Sequence, residues 1–194
     1  MINRDQFLDG YVRHIGLPTS SQGHALVELV DFLNEPNGLT YSINCVAYFL
    51  ATVKHECAGT WRPMKESGSL MYLHRRYWNL KTTRRQLGNL HKEDAVRFCK
   101  HGYLPIAGRR NFELLSKRLD VDFVGNPDLM LIPRHSFRIA EIIMVEGFLT
   151  GKKITEYITE RKNDLFHARR VIDGLNQAGR IEKMARQFLK VLTN

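Results

Sequence analysis

The chain has 194 residues, 43% of them apolar and 25% charged, a balance that excludes a disordered tail; 14 Gly and 6 Pro exclude a fibrous or low-complexity protein. No run approaches the ~18 consecutive apolar residues of a membrane span. Lys and Arg number 29 against 20 Asp and Glu, a net charge of +9, which favours an anionic partner (nucleic acid, an acidic membrane surface or bacterial cell wall) or serves solubility alone.

The charged opening Met1-Ile-Asn-Arg-Asp-Gln lacks the apolar stretch of an export signal, so a cytoplasmic chain without stable membrane insertion is the expectation. A short amphipathic helix is expected near residues 6–14. Pro18-Thr-Ser-Ser then reads as a loop and cap for a helix over 22–34, where Leu26, Leu29, Val30 and Leu33 recur at helical spacing. Glu35-Pro-Asn-Gly is a stop and turn. The next helix is expected over 43–57, with Val46, Phe49, Leu50 and Val53 as its apolar stripe and Glu56 near its end. Pro63 forbids extending it through Glu66. Residues 62–89 hold aromatics and Gly68 with little helical period, and read as an irregular lobe with room for a small hairpin. Further helices are expected over 111–119 and from Pro133 to about Gly147, followed by a short helix after Lys152-Lys153. The last, Ala178–Leu192, has the clearest pattern: Ile181, Met184, Ala185, Phe188, Leu189 and Leu192 share a face away from Arg180, Lys183, Arg186 and Lys190. Neither a repeat nor a Gly/Ser linker divides the chain, so a single domain over residues 1–194 is expected.

The three cysteines, Cys45, Cys57 and Cys99, include no Cys-x-x-Cys pair. His55 and Cys57 stand two apart and face different sides of a helix, so neither a disulfide framework nor a zinc site is expected, and buried thiols are the default.

Glu56 and Glu66 carry the strongest chemical signal. Hydrolysis of a glycosidic bond needs one protonated carboxyl and one ionised carboxylate on opposite sides of the bond. Glu56 sits at a helix C-terminus beside apolar residues, both of which disfavour charge, whereas Glu66 follows Lys65 in an expected loop. The competing reading makes Glu56 the partner of a structural arginine and Glu66 merely exposed.

The segment Ala47-Tyr-Phe-Leu-Ala-Thr-Val-Lys-His-Glu-Cys-Ala-Gly-Thr-Trp-Arg-Pro-Met-Lys-Glu resembles the catalytic segment of the family 19 chitinase-like glycoside hydrolases, and more narrowly their bacterial and phage endolysins. Later blocks agree in order: Leu87-Gly-Asn followed by Asp94, Gly108-Arg-Arg-Asn-Phe, Leu119-Asp-Val-Asp-Phe-Val-Gly-Asn-Pro-Asp-Leu, Phe148-Leu-Thr-Gly-Lys-Lys and Ala168-Arg-Arg-Val-Ile-Asp-Gly. The likeness covers about residues 25–194. It implies a mainly α, lysozyme-like, two-lobed fold with a small irregular or β-hairpin lobe. It also implies an inverting mechanism with carboxylates ~6.5–9.5 Å apart, Glu56 as general acid, Glu66 as general base, Asn111 as a sugar contact, and neither metal nor cofactor. Tyr103, His101 and Asp173 are the further expected substrate contacts.

The departures fall on the same stretch. Where the family reads Arg-Gly-Arg-Gly-x-x-Gln-Leu-Thr/Ser-Gly, this chain has Cys99-Lys-His-Gly-Tyr-Leu-Pro-Ile-Ala-Gly108. Pro105 thus replaces a substrate-binding glutamine and Ala107 a hydroxyl that holds water, while Asp173 replaces an asparagine. The resulting expectation is a monomeric endolysin that cuts peptidoglycan glycan strands after release by a separate holin-like pore protein. The alternative is an impaired relative that binds a protein or polyanion. Nucleic-acid binding rests on charge alone and ranks last.

Overall fold

A computed structural model describes residues 1–193. In chain order these form α1 (Arg4–His14), α2 (Ser20–Asn34), α3 (Ile43–Glu56), β1 (Met64–Lys65), α4 (Leu70–His74), a π-helical turn (Arg75–Asn79), α5 (Lys81–Leu87), α6 (Asp94–Arg97), β2 (His101–Gly102), α7 (Arg109–Leu119), α8 (Pro133–Glu146) and α9 (Ala178–Leu192). Three 3-10 turns, Pro127–Leu131, Ile154–Glu156 and His167–Val171, complete the set. The fold is mainly α, and among the described residues no helix is long and apolar enough to cross a membrane. The chain divides into two compact units, one made of residues 1–61 and 140–194 and the other of Arg62–Ile139.

In the first unit, α3 is the central helix. Every residue from Cys45 to Val53 is buried, so the stripe seen in the sequence widens to the whole circumference. Its main partner is α9, which buries Ile181, Ala185, Phe188 and Val191 and also packs on α1. Gly10 permits that approach, because a Cβ there would stand 2.9 Å from the Val191 carbonyl oxygen. Tyr11, Trp61 and Phe188 meet ring to ring at 5.8–6.2 Å between centroids, the edge-on and tilted geometry that aromatic quadrupoles favour. Thr19 and Gln22 form a capping box at the start of α2, and the Gln22 amide donates to the Gly59 carbonyl at 3.0 Å. That bond ties α2 to the turn that ends α3, where Ala58 and Gly59 adopt positive φ and leave Glu56 as the last helical residue.

The second unit differs from the sequence expectation over residues 62–89. In place of an irregular lobe with a local hairpin, it holds α4, the π turn and α5, and β1 pairs antiparallel with the distant β2. Helices of five to seven residues are too short to display a period, which is why their caps reveal them better: Ser69 accepts from the Tyr72 N–H, and Gly88 closes α5 at φ 67°. Leu73, Tyr77, Ala95 and Cys99 form a buried cluster here, with Tyr72, Trp78, Leu87, Val96 and Ala107 packed on it.

Candidate active site

Glu56 belongs to the first unit. Its side chain is 14% exposed, and Oε1 accepts a 2.8 Å bond from Arg169, which is itself buried. Arg169 stands in the turn His167–Val171, and its Nε is fixed by the Asn176 carbonyl at 2.9 Å. The far side of the same guanidinium lies 4.0 Å from Asp173, an exposed carboxylate. The structure thus brings two predicted site residues, Glu56 and Asp173, to one buried arginine of the Ala168-Arg-Arg block, and this arginine partner of Glu56 is the one the competing reading expected. Next to Glu56, burial pushes the His55 imidazole below its ordinary value and the Cys57 thiol up to about 12. Burial raises Cys45 to about 12 as well, so both thiols keep their protons near neutrality.

Glu66 belongs to the second unit and is not the exposed loop residue of the competing reading. Its backbone continues the two-stranded ladder: its N–H donates to the Lys100 carbonyl at 2.8 Å, and its carbonyl accepts from the Cys99 thiol at 3.7 Å. Its carboxylate is 14% exposed. Oε1 accepts from the Tyr72 hydroxyl at 2.9 Å with Arg76 Nε at 3.4 Å, and Oε2 accepts from the Tyr77 hydroxyl. Arg76 also donates to both tyrosine oxygens, so four side chains form one network. Burial raises the Tyr77 phenol well above its ordinary value, and the bond to Glu66 and that carboxylate's charge push it further, so Tyr77 stays a donor. Gly68 makes room for Tyr72, since a Cβ there would lie 2.5 Å from its ring. Three donors to one carboxylate, each on a short helical turn, escaped the sequence reading; the visible signal was Tyr72, Arg76 and Tyr77 at spacings of four and five on consecutive turns.

Asn111 opens α7 half-buried, its amide donating to the Ala107 carbonyl at 2.7 Å. Ala107 packs on the cluster that contains Tyr77, which brings Asn111 into the neighbourhood of the Glu66 network. The α7 start is further fixed by Asn89, which donates to the Tyr77 carbonyl at 3.1 Å and accepts from the Arg109 N–H at 3.0 Å.

Two expected substrate contacts lie elsewhere. His101 is fully buried, with Nδ1 2.8 Å from the Cys99 carbonyl, Nε2 3.3 Å from Asp128 and the ring edge-on to Phe112. Tyr103 is 1% exposed, its N–H donating to the Ser136 hydroxyl at 2.6 Å. Both are core residues enclosed by protein, out of reach of a bound polymer in this structure. Their placement follows from β2, whose pairing with β1 turns His101 inward. Among the described residues no three His, Cys, Asp or Glu side chains gather as metal ligands would.

Compared with solved structures, the chain is similar to chitinase C from Streptomyces griseus HUT6037, with a TM-score of 0.59 and 16% identity over 98% of this chain and 92% of that one. It is similar to a bacterial family 19 chitinase at a TM-score of 0.54 and 14% identity, covering 99% of this chain and 95% of the other. A glutamate-to-glutamine variant of chitinase C gives 0.56 and 16%, over 98% and 76%. The fold is therefore that of the family 19 chitinases. No protein-family model matches the chain, and no curated protein matches it in sequence.

Proposed function

We propose that this chain is a glycoside hydrolase that cuts the glycan strands of bacterial peptidoglycan with inversion, as an endolysin. The observation that carries the reading is that both sequence-predicted glutamates are nearly buried, Glu56 held by Arg169 and Glu66 by Tyr72, Tyr77 and Arg76, in a chain with a chitinase fold. Glu56 gives its proton to the glycosidic oxygen as the bond to the anomeric carbon breaks, and Arg169 compensates the carboxylate left behind. In the inverting mechanism that the family resemblance implies, Glu66 is the base that takes a proton from the attacking water. Its Oε1 is occupied by Tyr72 and Arg76, whereas Oε2 accepts from Tyr77 alone and keeps an acceptor site for that water. Asn111 orients the sugar. The net charge of +9 suits an anionic wall, and release from the cytoplasm falls to a separate pore-forming protein.

The test is lysis of permeabilised bacteria, with released muropeptides measured for the wild type, Glu56→Gln and Glu66→Gln. Glutamine keeps one acceptor oxygen, for Arg169 in the first variant and for one of the two tyrosines in the second, and circular dichroism checks that both variants are folded. Release by the wild type that disappears in both supports the reading; release undiminished in either removes that residue's role. A second reading, a binding protein on the same fold, is favoured by Ala107, whose methyl group packs on the cluster that contains Tyr77 where the family resemblance implies a hydroxyl. Sacculus binding without any muropeptide release by the wild type decides for it.

A further inference from the structure

Residues 67–92 form the longest stretch of the chain without an Asp or Glu, 26 residues where the average composition would place two or three. They hold six Lys or Arg and two His. Elsewhere some cations have acidic partners close by, among them Arg4 with Asp31, Lys65 with Asp128, Arg109 with Asp94, Lys152 with Glu156 and Arg186 with Glu182. Within the stretch, Arg76 is engaged by Glu66 and Arg84 lies over the Trp78 ring at 4.5 Å. Arg75, Lys81, Arg85 and Lys92 are exposed and form no ion pair among the described residues. Packing explains their outward aim, because Leu73, Tyr77, Trp78 and Leu87 occupy the inner side against the buried cluster. Gly88 adds another cation: a Cβ there would touch that of Arg110, so this exposed arginine stands against the same surface. Between the cations, Leu70, Met71, Leu80 and Leu90 are 63–79% exposed.

We propose that this surface receives the carboxylate-bearing peptide stems of the wall glycan, and that it selects an acidic glycan over a neutral one such as chitin. Continuity with the site supports that occupant: the stretch begins at the residue after Glu66 and supplies Tyr72, Arg76 and Tyr77 to it. A strand bound at Glu66 therefore runs past unpaired cations. Carboxylates of the stems meet them, and the short apolar side chains of the stems meet Leu70 and Met71. The proposal rests on the hydrolase reading for its glycan, but its test needs no turnover.

In that test the Glu66→Gln protein is sedimented with peptidoglycan sacculi, with colloidal chitin and with phosphatidylglycerol vesicles. Adding Arg75→Gln, Arg85→Gln and Lys92→Gln should weaken sacculus binding on the order of tenfold and leave chitin binding unchanged. Removing three charges from α9 instead, with Lys183→Gln, Arg186→Gln and Lys190→Gln, should leave both as they were. Equal loss from the two triples overturns the proposal, because net charge would then suffice. Unchanged sacculus binding in the first triple, or no sacculus binding by the parent, also overturns it. Loss of vesicle binding in place of sacculus binding overturns it in favour of a membrane surface. Patch-dependent sacculus binding by a wild type that releases no muropeptides would sink the hydrolase reading and leave this one standing.

Discussion

In the proposed reaction Glu66 takes a proton from water, which needs a carboxylate held in a fixed direction, and the Tyr72 and Tyr77 hydroxyls fix it. Tyr77 is buried, so replacing it by Phe keeps the ring in the cluster and removes only the hydroxyl that donates to Oε2. A hydrogen bond to a charged group contributes about 2 kcal/mol, which corresponds to a loss on the order of thirtyfold in kcat. Steady-state kinetics on soluble peptidoglycan check this, with KM little changed; a wild-type kcat would remove Tyr77 from the machinery. The same scale shows what the sequence could and could not disclose. Glu56 and Glu66 stood out through the family resemblance, since the spacing of two carboxylates by itself does not separate a catalytic pair from a structural one. Arg169 did not, since 113 residues separate it from Glu56 and only the fold brings them within 2.8 Å. His101 misled for the opposite reason. It lies in the stretch that the resemblance aligns with the cleft, but the β1–β2 ladder turns it into the core, where a backbone carbonyl and Asp128 satisfy it.

At the scale of elements, helices of eleven or more residues were read nearly to their ends, because a period of 3.6 needs about three turns to stand out. The four-to-seven-residue elements α4, α5 and α6 fall below that length and depend on tertiary contacts instead. One such contact is the meeting of α5 with α7, which Gly108 makes possible. Its φ of 95° lies where side chains are strained, and a Cβ there would stand 2.7 Å from both the Cβ and the carbonyl oxygen of Leu87. Neither obstacle can swing aside, since one is backbone and the other is the root of a side chain. Gly108→Ala should therefore destabilise the protein by about 2–4 kcal/mol. Urea titration followed by circular dichroism measures it, and a midpoint equal to that of the wild type would mean the α5–α7 approach is looser than described. Because Asn111 lies three residues on, its bond to the Ala107 carbonyl is expected to fail with it.

The molecule as a whole should lose stability toward acid, and the groups responsible can be named. Burial holds the His101 imidazole below its ordinary value against the pull of the Cys99 carbonyl, and Lys65 adds to that effect. Burial does the same to His55. At Asp94 burial opposes the charge, yet bonds from Arg109 and from the Leu90 and His91 N–H groups outweigh it and hold the carboxyl below the usual range. All three groups have folded pKa values below their unfolded ones, so the unfolded chain binds more protons between the two values. Their contribution is fully present above the unfolded pKa and is lost as the pH falls toward the folded one. For the histidines that loss begins below about pH 6.5, and for Asp94 below about pH 4. The expected Tm therefore declines as the pH falls below about 6.5 and drops again below about pH 4. Scanning calorimetry of the wild type and His101→Gln separates this from the growing positive charge of the chain, which both proteins share. His101→Gln should melt lower at every pH but with a shallower decline as the pH falls below about 6.5. An equal slope in the two proteins would show that His101 is already charged at neutrality, held so by Asp128 and the Cys99 carbonyl.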